Sequence, residues 1–202
     1  TLQWMKQKAA EHNCAIAGSV SVEENGKFYN RFYFVHPDGN VQWYNKKHLF
    51  TYGGEDKHYT AGQERVIVDF RGVRFLLEVC YDLRFPEIFQ AASKKSLVMT
   101  VIANWPVARV GHWKTLLQAR AIENQSFIVG VNRSGKDRTL TYTGDSMLIS
   151  PTGEILAHLT GENELAVVEI DPKEAEAYRA EFPLKADRKE NLYSRFFEET
   201  KA

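Results

Sequence analysis

Pro37-Asp38-Gly39 stands between two runs rich in β-branched and aromatic residues, Phe28 to Val35 and Val41 to Tyr44, and it limits the fold more than any other stretch. Pro fixes φ at the turn and Gly permits φ > 0, so the two runs read as an antiparallel hairpin. Ser150-Pro151-Thr152-Gly153-Glu154 repeats the logic between the strand-like segments Asp145 to Ile149 and Ala166 to Ile170. Arg65 to Phe70 and Val73 to Cys80 form a third pair around Arg71-Gly72. Cys14 to Val22, Leu97 to Ala103 and Phe127 to Asn132 read as buried strands, because they are apolar with little alternation. Helices are expected over 1–11, with Thr1 as N-cap and Leu2, Met5 and Ala9 on one face, over 86–95, opened by Pro86, and over 113–125. A further helix follows Pro172, and the chain closes on a charged, aromatic-bearing tail beyond Pro183. Hairpins mixed with helices predict a layered α/β or α+β arrangement. No repeat or linker divides the pattern, so residues 1–202 read as a single domain.

Composition excludes several functions. Lys+Arg and Asp+Glu both number 26, and a formal charge of zero argues against a general nucleic-acid partner. No run approaches the roughly 18 apolar residues of a membrane span, and no charged-then-apolar leader opens the sequence. A soluble, cytoplasmic protein with no membrane partner is the expectation. Two cysteines, Cys14 and Cys80, are too few for a disulfide framework. Neither CxxC nor HxxxH is present, so no metal or other cofactor is expected.

The chemistry concentrates in Phe75-Leu76-Leu77-Glu78-Val79-Cys80-Tyr81-Asp82-Leu83-Arg84-Phe85-Pro86-Glu87. An apolar strand ends in a thiol, turns through polar residues and enters a Pro-started helix. Backbone N–H groups at such a junction stabilise a thiolate or an oxyanion. Cys80 is thus either a buried, inert thiol or a nucleophile. A nucleophile needs a base or a cation beside it. His48 and His112 are candidates, as are Lys46 and Glu55, although each also reads as an ordinary loop or strand-end residue.

Taken together, these segments resemble the carbon–nitrogen hydrolases of the nitrilase superfamily. The resemblance runs from Tyr44-Asn45-Lys46-Lys47-His48-Leu49-Phe50 through Glu55 and Glu78-Val79-Cys80-Tyr81-Asp82-Leu83-Arg84-Phe85-Pro86. It continues through Ala103-Asn104-Trp105-Pro106, His112-Trp113 and Ala119-Arg120-Ala121-Ile122-Glu123-Asn124-Gln125. Gly144-Asp145-Ser146 and Ser150-Pro151-Thr152-Gly153-Glu154 complete it. The Lys-Lys-His-Leu-Phe and Ala-Asn-Trp-Pro versions are most similar to those of bacterial omega-amidases.

The resemblance implies a four-layer αββα sandwich, two β-sheets with helices outside, and a metal-free Glu–Lys–Cys triad. Cys80 matches the nucleophile. Lys46, two places before His48, matches the lysine, and Glu55 matches a second active-site carboxylate. The backbone N–H of Tyr81 would join Lys46 in holding the oxyanion, and Trp105 is a candidate for the substrate pocket or for the core. An anionic substrate would want a cation, for which Arg84, Arg109 and Arg133 are candidates.

The implied activity is hydrolysis of the terminal amide of a small 2-oxo dicarboxylate monoamide through a Cys thioester. Alternatives are another amidase of the superfamily, acting on an N-carbamoyl compound or on deaminated glutathione, or a non-catalytic binding or assembly module. A homodimer or higher homo-oligomer is implied, with the helix from His112 to Gln125 and its stripe Trp113, Leu116, Leu117 and Ala121 as the expected contact. The family's principal catalytic Glu lies upstream of the helix over 1–11. The sequence is therefore expected to lack an N-terminal strand–helix–strand portion. Glu11, Glu23 and Glu24 follow that position and are not assigned its role.

Overall fold

A computed structural model describes residues 1–161 and 165–199. In chain order the elements are α1 (Leu2–His12), β1 (Ile16–Glu24), β2 (Lys27–Val35), β3 (Val41–Asn45), β4 (Ile67–Phe70), β5 (Val73–Val79), α2 (Pro86–Ala92) and β6 (Val98–Ala103). They continue with α3 (Val110–Asn124), β7 (Phe127–Asn132), β8 (Ser134–Lys136), β9 (Thr141–Thr143), β10 (Ser146–Ile149), β11 (Ile155–Leu159), α4 (Lys173–Glu181) and α5 (Glu190–Glu199).

Strands β1, β2 and β3 form one antiparallel sheet, and a second runs in the order β11-β10-β7-β6-β5-β4. At its centre β5, β6 and β7 are parallel, pairing Phe75 with Val98 and Met99 with Ile128. Parallel neighbours require crossovers, and α2 and α3 supply them. The short pair β8–β9 stands apart.

Alternation along the strands sets the layers. On β2, Tyr33 and Val35 face Met5 and Ala9 of α1. Phe32 and Phe34, one residue out of phase, face the other sheet and pack with Val68, Leu77 and Val79. Beyond the second sheet, Leu76, Met99, Val101 and Ile128 pack on Phe89 of α2 and on Trp113, Leu117 and Ala121 of α3. The order is helix, sheet, sheet, helix, the αββα sandwich that the sequence resemblance implies.

Two expectations need correction, and one element had no sequence signal. Ala166 to Ile170 is not a strand. The turn at 150–154 joins β10 to β11 instead, with Ser146 opposite Leu159. Strand propensity needs a free partner edge, and β7 and β11 occupy the two edges of β10. Ile170 packs on Leu97, Val98, Phe127 and Ala175, while Val167 is 91% exposed. Second, the apolar stripe of α3 is not an outward contact face, because Trp113, Leu117 and Ala121 are fully buried on the sheet and Leu116 packs against the same core. The hairpin β8–β9 was not anticipated from the sequence.

Candidate active site

The chain leaves β5 at Cys80 with φ = 52°, a left-handed conformation that costs a residue bearing a Cβ roughly 1–2 kcal/mol. A tight turn over Cys80–Arg84 follows, and Pro86 then opens α2. Strain of this kind persists only where the surroundings over-determine it. Here the restraint is Asp82, which is fully buried. Its Oδ2 accepts from the Val79 N–H at 3.0 Å and from the Tyr44 hydroxyl at 2.9 Å. Its Oδ1 accepts from the His48 N–H at 2.9 Å and lies 2.8 Å from His48 Nδ1. One carboxylate thus ties the Cys80 turn to the loop after β3.

That loop carries Lys46, whose side chain is 3% exposed. Its backbone is pinned on both sides: the Lys46 N–H donates to Asn30 O, and its carbonyl accepts from Gly62 N, each at 2.9 Å. Gly62 is required for this crossing, since a Cβ there would stand 2.1 Å from the Asn45 carbonyl oxygen. Lys46 Nζ donates to Glu55 Oε2 at 2.5 Å. The Phe50 N–H donates to the same oxygen at 2.7 Å, and Asn30 Nδ2 donates to Oε1 at 3.1 Å. Burial pushes the Glu55 carboxyl up. The hydrogen bond and charge of Lys46, aided by Phe50 and Asn30, outweigh that and hold it below its ordinary value.

Cys80, Lys46 and Glu55 line one cavity of about 330 Å³, with Asn30, Tyr59 and Asn104. Loss of hydration pushes the Cys80 thiol above its ordinary value. The Lys46 ammonium and the Asn104 backbone pull it back without cancelling the rise. Desolvation thus prevails over the Lys46 charge in setting the direction of the shift.

A second, smaller cavity of about 40 Å³ shares Cys80, Phe50 and Asn104 with the first. Tyr81, Arg84, Trp105 and Arg109 also line it. Tyr81 is held edge-on between Phe50, at 5.0 Å, and Phe85, at 5.2 Å. Trp105 belongs both to the core and to this cavity. It is 3% exposed and 5.5 Å from Trp113, and its indole N–H donates to Arg109 O at 2.8 Å. The two histidine alternatives are placed elsewhere. His48 is stacked on Phe85 at 3.8 Å beside Asp82, and His112 Nδ1 lies 3.1 Å from Arg84. Neither lines a cavity with Cys80.

Sequence reasoning missed Asp82, Tyr44, Asn30 and Asn132. The Asn132 side chain accepts from the Trp105 N–H and donates to Trp105 O and Gly144 O. It also missed Glu78, 2% exposed, whose carboxyl burial and the nearby Asp82 push well above the ordinary value. The available signal was the short polar pair flanking Cys80, since a carboxylate two residues into a turn commonly caps its own backbone. Among the described residues no group of three or more His, Cys, Asp or Glu side chains converges as a metal site. None of their helices is long and apolar enough to cross a membrane. Another cavity, of about 280 Å³ beside β7 and β10, is lined by Val129, Val131, Leu148 and Val168 and has no ionisable group in its wall.

The sequence model of one family, "Carbon-nitrogen hydrolase", matches residues 1–180. The chain belongs to the carbon–nitrogen hydrolase family. Its members hydrolyse carbon–nitrogen bonds, and this chain is an amide-hydrolysing enzyme of that family. It is 44% identical over 191 residues to Omega-amidase YafV of Escherichia coli K12, a match covering 94% of this chain and 74% of that protein. It is 37% identical over 193 residues to 2-oxoglutaramate amidase of Bacillus subtilis, again covering 94% and 74%. A carbon–nitrogen hydrolase superfamily protein of Xanthomonas campestris, solved with an arsenic adduct in its active site, superimposes with a TM-score of 0.89 at 37% identity. That match covers 93% of this chain and 74% of that one.

Proposed function

We propose that this enzyme is an omega-amidase, releasing ammonia from the terminal amide of a small 2-oxo dicarboxylate monoamide, with Cys80 as nucleophile. The observation that carries the reading is the joint presence of Cys80, Lys46 and Glu55 around one cavity, with Lys46 bonded to Glu55 and Cys80 held at positive φ. The similarity to proteins named omega-amidase and 2-oxoglutaramate amidase supports the substrate class.

In the proposed reaction the Cys80 sulfur forms a bond to the amide carbon as its proton passes to a carboxylate. The oxygen, now negative, is stabilised by the Lys46 ammonium and the Tyr81 backbone N–H. Collapse breaks the C–N bond, the nitrogen takes the proton, and ammonia leaves a thioester. Water then attacks the thioester, giving the acid and restoring the thiol. Glu55 orients Lys46. Its oxygens already accept from Lys46, Phe50 and Asn30, so it is poorly placed to shuttle protons. The proton-carrying carboxylate is therefore proposed to come from a segment upstream of this domain. A homodimer or higher homo-oligomer built from outer helices is part of the proposal, supported by exposed Ile122 on α3 and by Tyr193 and Phe196 on α5; cytoplasmic location belongs to the same reading.

The test is to mix the intact protein with 2-oxoglutaramate and hydroxylamine in the presence of EDTA. Ammonia release with formation of a hydroxamate, and loss of both in Cys80→Ser, is the expected result. Chelator-sensitive turnover with no covalent adduct would refute the thioester.

A further inference from the structure

We propose that Arg109 is the specificity-determining residue that anchors a substrate carboxylate remote from the scissile amide. The inference rests on the omega-amidase reading and deepens it by naming what selects the substrate.

The sequence offers Arg84, Arg109 and Arg133 as cations for an anionic substrate, and the structure separates them. Arg133 lies 3.7 Å from Asp137, donates to Lys136 O and stacks 4.6 Å over Tyr142, and it lines neither cavity that contains Cys80. Arg84 lines the smaller cavity, but its Nη2 lies 3.1 Å from His112 Nδ1 and its guanidinium lies 4.9 Å over Trp105. Arg109 lines the same cavity as Cys80, and its guanidinium rests 5.5 Å over the Phe50 ring. Among the described residues no carboxylate, carbonyl or ring nitrogen takes any of its donors.

The backbone beneath that guanidinium is fixed. Arg109 N–H donates to Pro106 O at 3.0 Å, and Arg109 O accepts from the Trp105 indole at 2.8 Å. The wall of the cavity contains no Asp or Glu. A braced turn thus presents an uncommitted, half-buried guanidinium in the space that holds the nucleophile. A planar fork of donors matches a carboxylate with two parallel charge-assisted hydrogen bonds. A neutral aliphatic amide offers it nothing. A dicarboxylate monoamide, its amide carbon at Cys80, directs its far carboxylate along this cavity.

Two measurements on the intact protein test this. The first compares kcat/KM for 2-oxoglutaramate and for butyramide. Arg109→Ala should lower the ratio by about 10- to 100-fold, mostly through KM, with partial recovery in Arg109→Lys. The second follows alkylation of the Cys80 peptide by anionic iodoacetate and by neutral iodoacetamide. The iodoacetate preference should fall severalfold in Arg109→Ala, while iodoacetamide reports that the site has kept its fold. Equal loss on both substrates, an unchanged reagent preference, or a preference that moves with Arg84→Ala instead would each overturn the assignment. If the wild-type protein releases no ammonia from 2-oxoglutaramate and the reagent preference still depends on Arg109, the omega-amidase reading fails and the anion anchor stands.

Discussion

Replacing Asp82 with Ala should unlock the turn that presents Cys80. The substitution removes the acceptor for the Val79 N–H, the Tyr44 hydroxyl and the His48 N–H, and the partner of His48 Nδ1. His48 is partly exposed, so water can serve its N–H. Val79 and Tyr44 are buried at 2% and 1% exposure and have no such recourse. A buried donor left without a partner costs about 1–3 kcal/mol, which gives about 2–6 kcal/mol for the pair. Two effects work against this. The variant no longer buries a carboxylate, and the charge that raises the Glu78 carboxyl is gone. A net loss of about 3 kcal/mol is expected, a large part of the roughly 5–15 kcal/mol that holds a domain together. Urea unfolding followed by tryptophan fluorescence measures it, with the m-value unchanged. Amidase turnover should fall further than stability at that temperature accounts for, because Cys80 loses its restraint against relaxing to negative φ. Asp82→Asn keeps one acceptor but turns an amide donor toward a donor, so it should fall between wild type and Asp82→Ala. A loss under about 1 kcal/mol in Asp82→Ala, with turnover intact, would refute the claim that this carboxylate holds the elbow.

Three further outcomes are expected. Lys46→Ala should cut amidase turnover by on the order of 10²–10³ or more, while Lys47→Ala is mild; equal damage from both would show that the register of the loop after β3 is wrong. Alkylation of Cys80 by iodoacetamide should still be accelerating at pH 9.0, since burial raises the thiol, and Lys46→Ala should move the rise higher still; a plateau below about pH 8 would contradict this. Lys185, desolvated and flanked by Arg179, Arg188 and Lys94, is lowered to about 7 from 10.5. The unfolded chain therefore binds the extra proton between those values, and stability should rise with pH across that window. Lys185→Met should flatten the slope in urea titrations, and an unchanged slope would count against it.

The sequence by itself carried whatever depends on neighbours along the chain. The Pro-Asp-Gly turn at 37–39 set the β2–β3 hairpin, with Val35 opposite Val41. Apolar runs gave β6 and β7, Pro86 opened α2, and the resemblance to the nitrilase superfamily singled out Lys46, Glu55 and Cys80. It failed where the outcome depended on which segments compete for one partner. Ala166 to Ile170 has strand character, yet β11 holds the free edge of β10. Trp113, Leu117 and Ala121 make an apolar stripe, and only packing shows that it faces the sheet.

The same division runs through the site. No spacing reveals that Asp82 reaches across to Tyr44 and His48, 38 and 34 residues away. Nor does a residue type disclose that desolvation outweighs Lys46 in setting the Cys80 thiol. Arg84, Arg109 and Arg133 are equivalent in sequence, and the contacts around each guanidinium distinguish them. Local patterns record what a residue prefers. Charge, hydration and free hydrogen-bonding capacity are properties of the assembled surroundings, and only the tertiary structure decided them.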